Sequence, residues 1–218
     1  DVNKAQLISA SPQDIENVIK HYQHHPVLNM DIKNIRIICH PIMNRSFALR
    51  MALLNSRDKN PAFTPGWSKK FEPSNYKTKR SETALLAETL AKPYNDSDYP
   101  AVKLLPLWHG TKQAALKSLL ETGYASLGTT DNGFFGKGIY SAHEAEYAYR
   151  VYGQDGVLIM NWVSFFSAYP VIDGDMAELQ AKSNYQNYDA HFAPVISPNS
   201  YSQGSIYYPC KPEQIHKY

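Results

Sequence analysis

The sequence predicts an α+β fold on three observations. Helical amphipathic spacing recurs up to Tyr149, apolar stretches of strand length crowd the second half, and no repeat or low-complexity run points to a solenoid or linker. The 218 residues are 43% hydrophobic with 16 Tyr, 8 Phe and 3 Trp, enough to bury a core as one domain or two small ones. Global disorder is thereby excluded. No run reaches the roughly 18 consecutive apolar residues of a membrane helix, since residues 157–166 are interrupted by Asn161 and Ser164, and no membrane partner is expected. With 22 Lys and Arg against 20 Asp and Glu, the net charge of +2 announces no nucleic-acid binder, and any charged patch is local.

Taking the elements in order, Ser11, Pro12 and Asp14 supply an N-cap, a first-turn proline and an early acid. Ile15, Val18, Ile19 and Tyr22 follow at i, i+3, i+4 and i+7, so this stretch is an amphipathic helix. It makes residues 1–30 an N-terminal helical segment ahead of a domain over 31–218. Residues 34–39 are Ile-rich and read as a strand, Pro41 breaks it, and residues 44–55 carry Phe47, Ala48, Met51 and Leu54 at helical spacing. Residues 56–80 turn polar and irregular, with Pro61, Pro65 and Pro73, and read as a loop insertion. A short helix resumes over 81–90, and residues 102–108 read as a buried strand running into His109-Gly110-Thr111. Thr111 is placed to cap a helix whose Ala115, Leu116, Leu119 and Leu120 form one apolar face, and Gly123 stands where a left-handed residue ends it. After a glycine-containing loop over 127–138 come Ile139-Tyr140, a small-residue helix over 142–149, and apolar stretches at 157–166, 169–172, 191–196 and 205–208. The second half reads as mostly β.

Several patterns have plain explanations. Gly133-Phe134-Phe135-Gly136-Lys137-Gly138 is no P-loop, because Lys137 is followed by glycine where Ser or Thr must bind magnesium, and it lacks the Rossmann order; a tight hairpin needing positive φ accounts for it. His21, His24 and His25 have metal-binding spacing, but no nearby carboxylate or cysteine completes a site, so no metal is expected. Trp67, Phe71 and Tyr76 interleave with Lys69, Lys70, Lys77, Lys79 and Arg80, the composition of a nucleic-acid surface, but with so modest a charge a solvated loop is the simpler reading. Cys39 and Cys210 form at most one disulfide and no zinc-type pair, which fits a reducing compartment. The chain opens at Asp1 without a leader and ends at Tyr218 on what reads as a strand cut short, so it reads as part of a longer protein.

One ordered set resists such explanations: Leu107-Trp108-His109-Gly110-Thr111, then Gly136-Lys137-Gly138-Ile139-Tyr140-Ser141-Ala142, then Ala145-Glu146-Tyr147. Together they resemble the catalytic domain of the poly(ADP-ribose) polymerase family, the diphtheria-toxin-like ADP-ribosyltransferases. Residues 205–208, followed by Glu213-Gln214-Ile215 and Tyr218, look like that family's last catalytic strand, and 34–37 with Asn44 look like its early strand and helix. The resemblance implies two packed antiparallel β-sheets with flanking helices and NAD as co-substrate. It gives His109 a hydrogen bond to the adenosine ribose with Thr111 beside it. Gly110 would let the backbone pin the carboxamide, Tyr140 and Tyr147 would stack on the nicotinamide, and Ala142 would complete the binding set. His109 and Tyr140 are then the first two of three catalytic positions.

The third position departs from the family's polymerases. Counting back from Gln214 without a gap places Ile206 where they carry a glutamate, with Gly204 the alternative if a gap is allowed, and Pro209 disturbs the register. An apolar residue there resembles the mono-ADP-ribosyltransferase branch, and Ser141 replaces the usual Phe. The implied activity is intracellular transfer of single ADP-ribose units to a protein acceptor, another protein or the enzyme itself, by a monomer. A catalytically silent NAD-binding or ADP-ribose-binding module, or transfer to nucleic-acid ends, are the alternatives.

Overall fold

The computed structural model describes residues 5–22, 32, 34–63, 66–67, 71–124, 133, 135–152 and 157–194. The chain divides into two units. Unit one comprises Asp1–Arg50, Pro106–Ala125 and Tyr140–Trp162; unit two comprises Met51–Leu105, Ser126–Ile139 and Val163–Tyr218.

In unit one, strand β1 (Gln6–Ser9) pairs antiparallel with β2 (Arg36–Cys39), from Gln6 opposite Cys39 to Ser9 opposite Arg36. Helix α1 (Pro12–Tyr22) starts as its sequence requires. The Asp14 N–H donates to Ser11 Oγ at 3.2 Å, and the Asp14 carboxylate accepts from the Ser11 N–H at 3.0 Å and hydroxyl at 2.6 Å. This reciprocal cap satisfies two backbone donors and holds the Asp14 carboxyl below its usual range, the Ser11 hydroxyl being the main cause. Helix α2 (Pro41–Asn55) begins at Pro41 itself, because proline at the first helical position needs no N–H partner. The buried His40 imidazole caps it, accepting from the Met43 N–H at 3.4 Å.

Strand β3 (Lys103–Thr111) runs through the His-Gly-Thr motif and hydrogen-bonds to β4 (Val157–Phe165). Thr111, expected as a helix cap, is instead the buried last residue of β3. Lys112 occupies the cap position of α4 (Gln113–Thr122) and makes no side-chain cap. At the far end Gly123 adopts φ +78°, its N–H closing on the Leu119 carbonyl at 2.9 Å. Helix α5 (Ala145–Tyr152) starts three residues later than its small residues suggest, because Ala142 is taken up in a bridge to Trp108. Its Ala145 and Ala148 cluster with Trp108, and Val18, Ala142, Leu158 and Met160 pack around them.

In unit two the last part of the loop assigned to residues 56–80 is helical, from Ser74 onward. After a 3₁₀ turn at Pro61–Phe63, helix α3 runs over Ser74–Ala91 as one piece. Its packed stripe is Tyr76, Arg80, Thr83, Ala87 and Ala91, a regular helical period whose second member is a cation. An arginine in the core stripe is why the segment looks polar. Arg80 is 1% exposed and donates to Glu72 Oε2 at 2.7 Å, to Asp175 at 2.7 and 2.8 Å and to the Pro170 carbonyl at 2.8 Å. Its guanidinium lies 4.9 Å from the Tyr169 ring centre. Burial opposes the charge, but the bonds to Asp175 and Glu72 outweigh it and the pKa is raised.

Helix α3 packs on β5 (Ala168–Pro170) and β6 (Ala190–Phe192), which pair in parallel with Tyr169 opposite His191. A parallel pair departs from the expectation of antiparallel sheets. Tyr169, Val171, Leu179 of the short α6 (Met176–Leu179) and Tyr188 form the core, with Trp67, Phe135, Tyr185 and Ala193 against it. The described residues are mixed α and β with three two-stranded sheets, and the α+β class holds at that level. The expected strand at 205–208 lies outside them.

Replacing Arg80 with Met strands two carboxylates, Glu72 and Asp175, whose side chains are 7% and 6% exposed. The expected loss is about 3–5 kcal/mol, read from urea unfolding; a loss below about 1 kcal/mol, typical of an exposed pair, would contradict the buried-charge account.

Candidate functional site

The site builds from the end of β3. Trp108 and Ala142 form an antiparallel bridge in which each N–H donates to the other's carbonyl at 2.7 Å. One step along, His109 Nδ1 lies 2.7 Å from the Tyr140 carbonyl oxygen, joining residues 31 positions apart. A carbonyl only accepts, so Nδ1 carries the proton, and in the neutral ring Nε2 is an acceptor. The Tyr124 ring stands edge-on to the imidazole, centroids 4.9 Å apart at 81°. Its hydroxyl accepts from the Asn161 amide at 2.6 Å. Burial pushes the Tyr124 pKa up to about 12, with the Asn161 bond acting the other way, so the phenol is neutral at pH 7. The imidazole is therefore fixed in tautomer by one backbone carbonyl and in position by a braced aromatic edge.

The expected site residues that are described lie in unit one. His109, Gly110 and Thr111 end β3, with Gly110 and Thr111 buried. Tyr140 and Ala142 occupy the stretch ahead of α5, and Tyr147 lies half-buried on α5. The structure brings His109 to Tyr140 and Trp108 to Ala142, so the first two motifs meet, and Ala145 of the third packs on Trp108. Ile206 and Gly204 lie outside the described residues, as do His24, His25 and Cys210. Cys39 is a free, half-buried thiol. Among the described residues no group of three or more His, Cys, Asp or Glu is arranged to hold a metal, and no helix is long and apolar enough to cross a membrane.

In unit two, Gly133 and Gly136 take positive φ as expected, at +59° and +108°; residues 135–138 form a turn, and the stretch that would pair ahead of it in the expected hairpin lies outside the described residues. A Cβ on Gly136 would meet the His191 ring at 3.2 Å and the Lys182 carbonyl at 3.3 Å. Among the described residues of the basic aromatic stretch, two of the cations are taken up by acidic partners. Arg80 is buried, Lys79 pairs with Asp173 at 3.3 Å, and the Trp67 N–H donates to the Tyr188 hydroxyl at 2.7 Å; Phe71 is fully exposed. Lys69 and Lys70 lie outside the described residues.

Sequence reasoning missed Tyr124, Asn161 and His191. A tyrosine after a helix-ending glycine, an asparagine inside an apolar strand and a histidine in a strand were the available signals, but each gains meaning only from its partner. Compared with protein-family models and with curated proteins, the chain matches none.

The hydrogen bond to Tyr140 makes a direct expectation. In nitrogen-detected NMR the neutral His109 ring gives the Nδ1–H tautomer, and a predominant Nε2–H signal would remove the carbonyl tether.

Proposed function

We propose that this chain is an NAD-dependent mono-ADP-ribosyltransferase, transferring one ADP-ribose unit to a protein acceptor and releasing nicotinamide, on an α+β fold of the ADP-ribosyltransferase kind. The observation that carries the reading is the His109–Tyr140 hydrogen bond. It joins the two motifs on which the family resemblance rests, and it leaves on His109 an acceptor nitrogen suited to a ribose hydroxyl.

In this reading His109 Nε2 accepts from the adenosine ribose, the Gly110 backbone holds the carboxamide, and the Tyr140 and Tyr147 rings enclose the nicotinamide, with Thr111 and Ala142 lining the site. The bond between ribose C1′ and the nicotinamide nitrogen breaks with its electron pair leaving on nicotinamide. Positive charge developing on the ribose favours aromatic faces and fixed dipoles over a strong nucleophile. The acceptor's oxygen or nitrogen then bonds to C1′ and releases a proton. Ile206 at the third catalytic position supplies no carboxylate to activate an ADP-ribose hydroxyl, so the chain does not elongate. No metal enters the scheme. NAD supply and the cysteine usage support an intracellular setting, and the acceptor is another protein or the enzyme itself.

The missing acid at position 206 is also what favours the second reading, a silent module that binds NAD or ADP-ribose without transfer. For transfer to nucleic-acid ends the basic stretch is the sole hint, and its Arg80 is buried and committed to Glu72 and Asp175.

Incubation with labelled NAD and cell lysate separates these. The transferase labels protein, and binding without transfer or hydrolysis selects the silent module. Tyr140→Ala is the cleaner binding test, because the tether to His109 uses the Tyr140 carbonyl and survives the substitution. Tyr140→Ala and Tyr147→Ala are each expected to weaken a nicotinamide-like inhibitor by about 0.5–1.5 kcal/mol, with unchanged melting of the free protein. Unchanged inhibitor affinity in both would defeat the pocket. Mass spectrometry of modified acceptor should show single units, and a ladder of polymers would overturn the assignment of Ile206.

A further inference from the structure

The turn at residues 135–138 in unit two is tied to an imidazole. His191, central in β6, uses both ring nitrogens in opposite senses: Nδ1–H donates to the Phe135 carbonyl, and Nε2 accepts from the Tyr185 N–H at 2.8 Å. Only the neutral ring with its proton on Nδ1 satisfies both. The turn lies against this ring, for Gly136 has φ +108° and a Cβ there would stand 3.2 Å from His191 Cε1, a tight contact. A second tie joins the same segments, the Lys137 N–H donating to the Lys182 carbonyl at 2.7 Å.

We propose that His191 is a positioning residue: its neutral imidazole clamps the 135–138 turn to the 182–185 segment, and protonation releases the clamp. The turn leads by chain through Ile139 into Tyr140, so the clamp makes the entry of the chain into the candidate site sensitive to pH; only this last consequence rests on the proposed function.

Protonation puts a second N–H on the ring facing the Tyr185 N–H, and two donors cannot bond, so Nε2 loses its partner. The surrounding groups do not rescue the charge. Tyr169 of β5 meets the ring edge-on at 5.7 Å, Tyr185 and Tyr188 are neutral phenols around Tyr169, and Lys137 and Lys182 are exposed cations. Asp175, the one carboxylate acting on His191, is committed to Arg80. Burial is the main cause that lowers the His191 pKa, opposed by the Phe135 carbonyl and Asp175. The sign follows: with the folded pKa below the unfolded value of about 6.5, the folded state binds fewer protons. The clamp is complete above that pH and weakens as pH falls towards the folded pKa.

Amide hydrogen exchange of Tyr185 and Lys137, corrected for the intrinsic pH dependence, tests this on the intact chain. Between pH about 7.5 and about 5, wild-type protection should fall more than about tenfold at both amides, while amides in α3 stay protected. In His191→Gln, whose amide offers a donor and an acceptor but does not titrate, protection should persist without that pH dependence. A wild-type profile that is flat, or an equal fall in His191→Gln, overturns the proposal. Should the variant not fold, the wild-type imidazole followed by NMR must titrate with the loss of protection, and a separate midpoint overturns it equally. Affinity for a nicotinamide-like inhibitor, measured at both pH values, should fall with protection; no binding at either pH refutes the proposed function while exchange still decides the clamp.

Discussion

A guanidinium at 1% exposure has to be matched in place, and much of unit two is arranged around Arg80. Glu72 comes from the segment ahead of α3, the Pro170 carbonyl from β5 and Asp175 from the start of α6, so one side chain ties three parts of the chain to a helix. Asp175 also accepts from the Ile172 N–H at 3.0 Å and so fixes the turn after β5. Removing the arginine is costly because it leaves two buried carboxylates without their counter-charge. Such a network specifies which segments meet more than it adds stability.

Unit one reaches order by other means. One apolar cluster there is Trp108 with two alanines of α5, and short backbone bonds tie Trp108 to Ala142. Alanines at the contact let α5 approach the indole closely. The imidazole of His109 is then held at Nδ1 by a carbonyl that stands beside that bridge, so the orientation of a side chain follows from backbone pairing. Orientation set this way survives changes to the Tyr140 side chain, which separates holding the imidazole from contacting a ligand.

The two histidines that carry the functional argument illustrate opposite uses of one residue. His109 spends Nδ1 on a carbonyl and keeps Nε2 as an acceptor; His191 spends both nitrogens on the backbone, and both of its bonds require the neutral ring. Both conclusions rest on the fact that a carbonyl cannot donate.

Periodicity and local chemistry made α1, its Ser11–Asp14 cap, β2 and the positive φ at Gly123 legible in the sequence, because each depends on residues within one or two turns of one another. The order of the His-Gly-Thr, Tyr-Ser-Ala and Ala-Glu-Tyr motifs was legible too, and with it the residues that should stand together. What the sequence could not decide was every feature whose partner is distant. The helix over residues 74–80 looked like a polar loop because its core position holds arginine, whose partners include Asp175, 95 positions away. Tyr124 gains its role from Asn161 and His109, and His191 from Phe135. Spacing along the chain encodes local hydrogen bonds and apolar faces; only the tertiary structure decides which buried polar groups find partners, because that depends on distances the chain closes on folding.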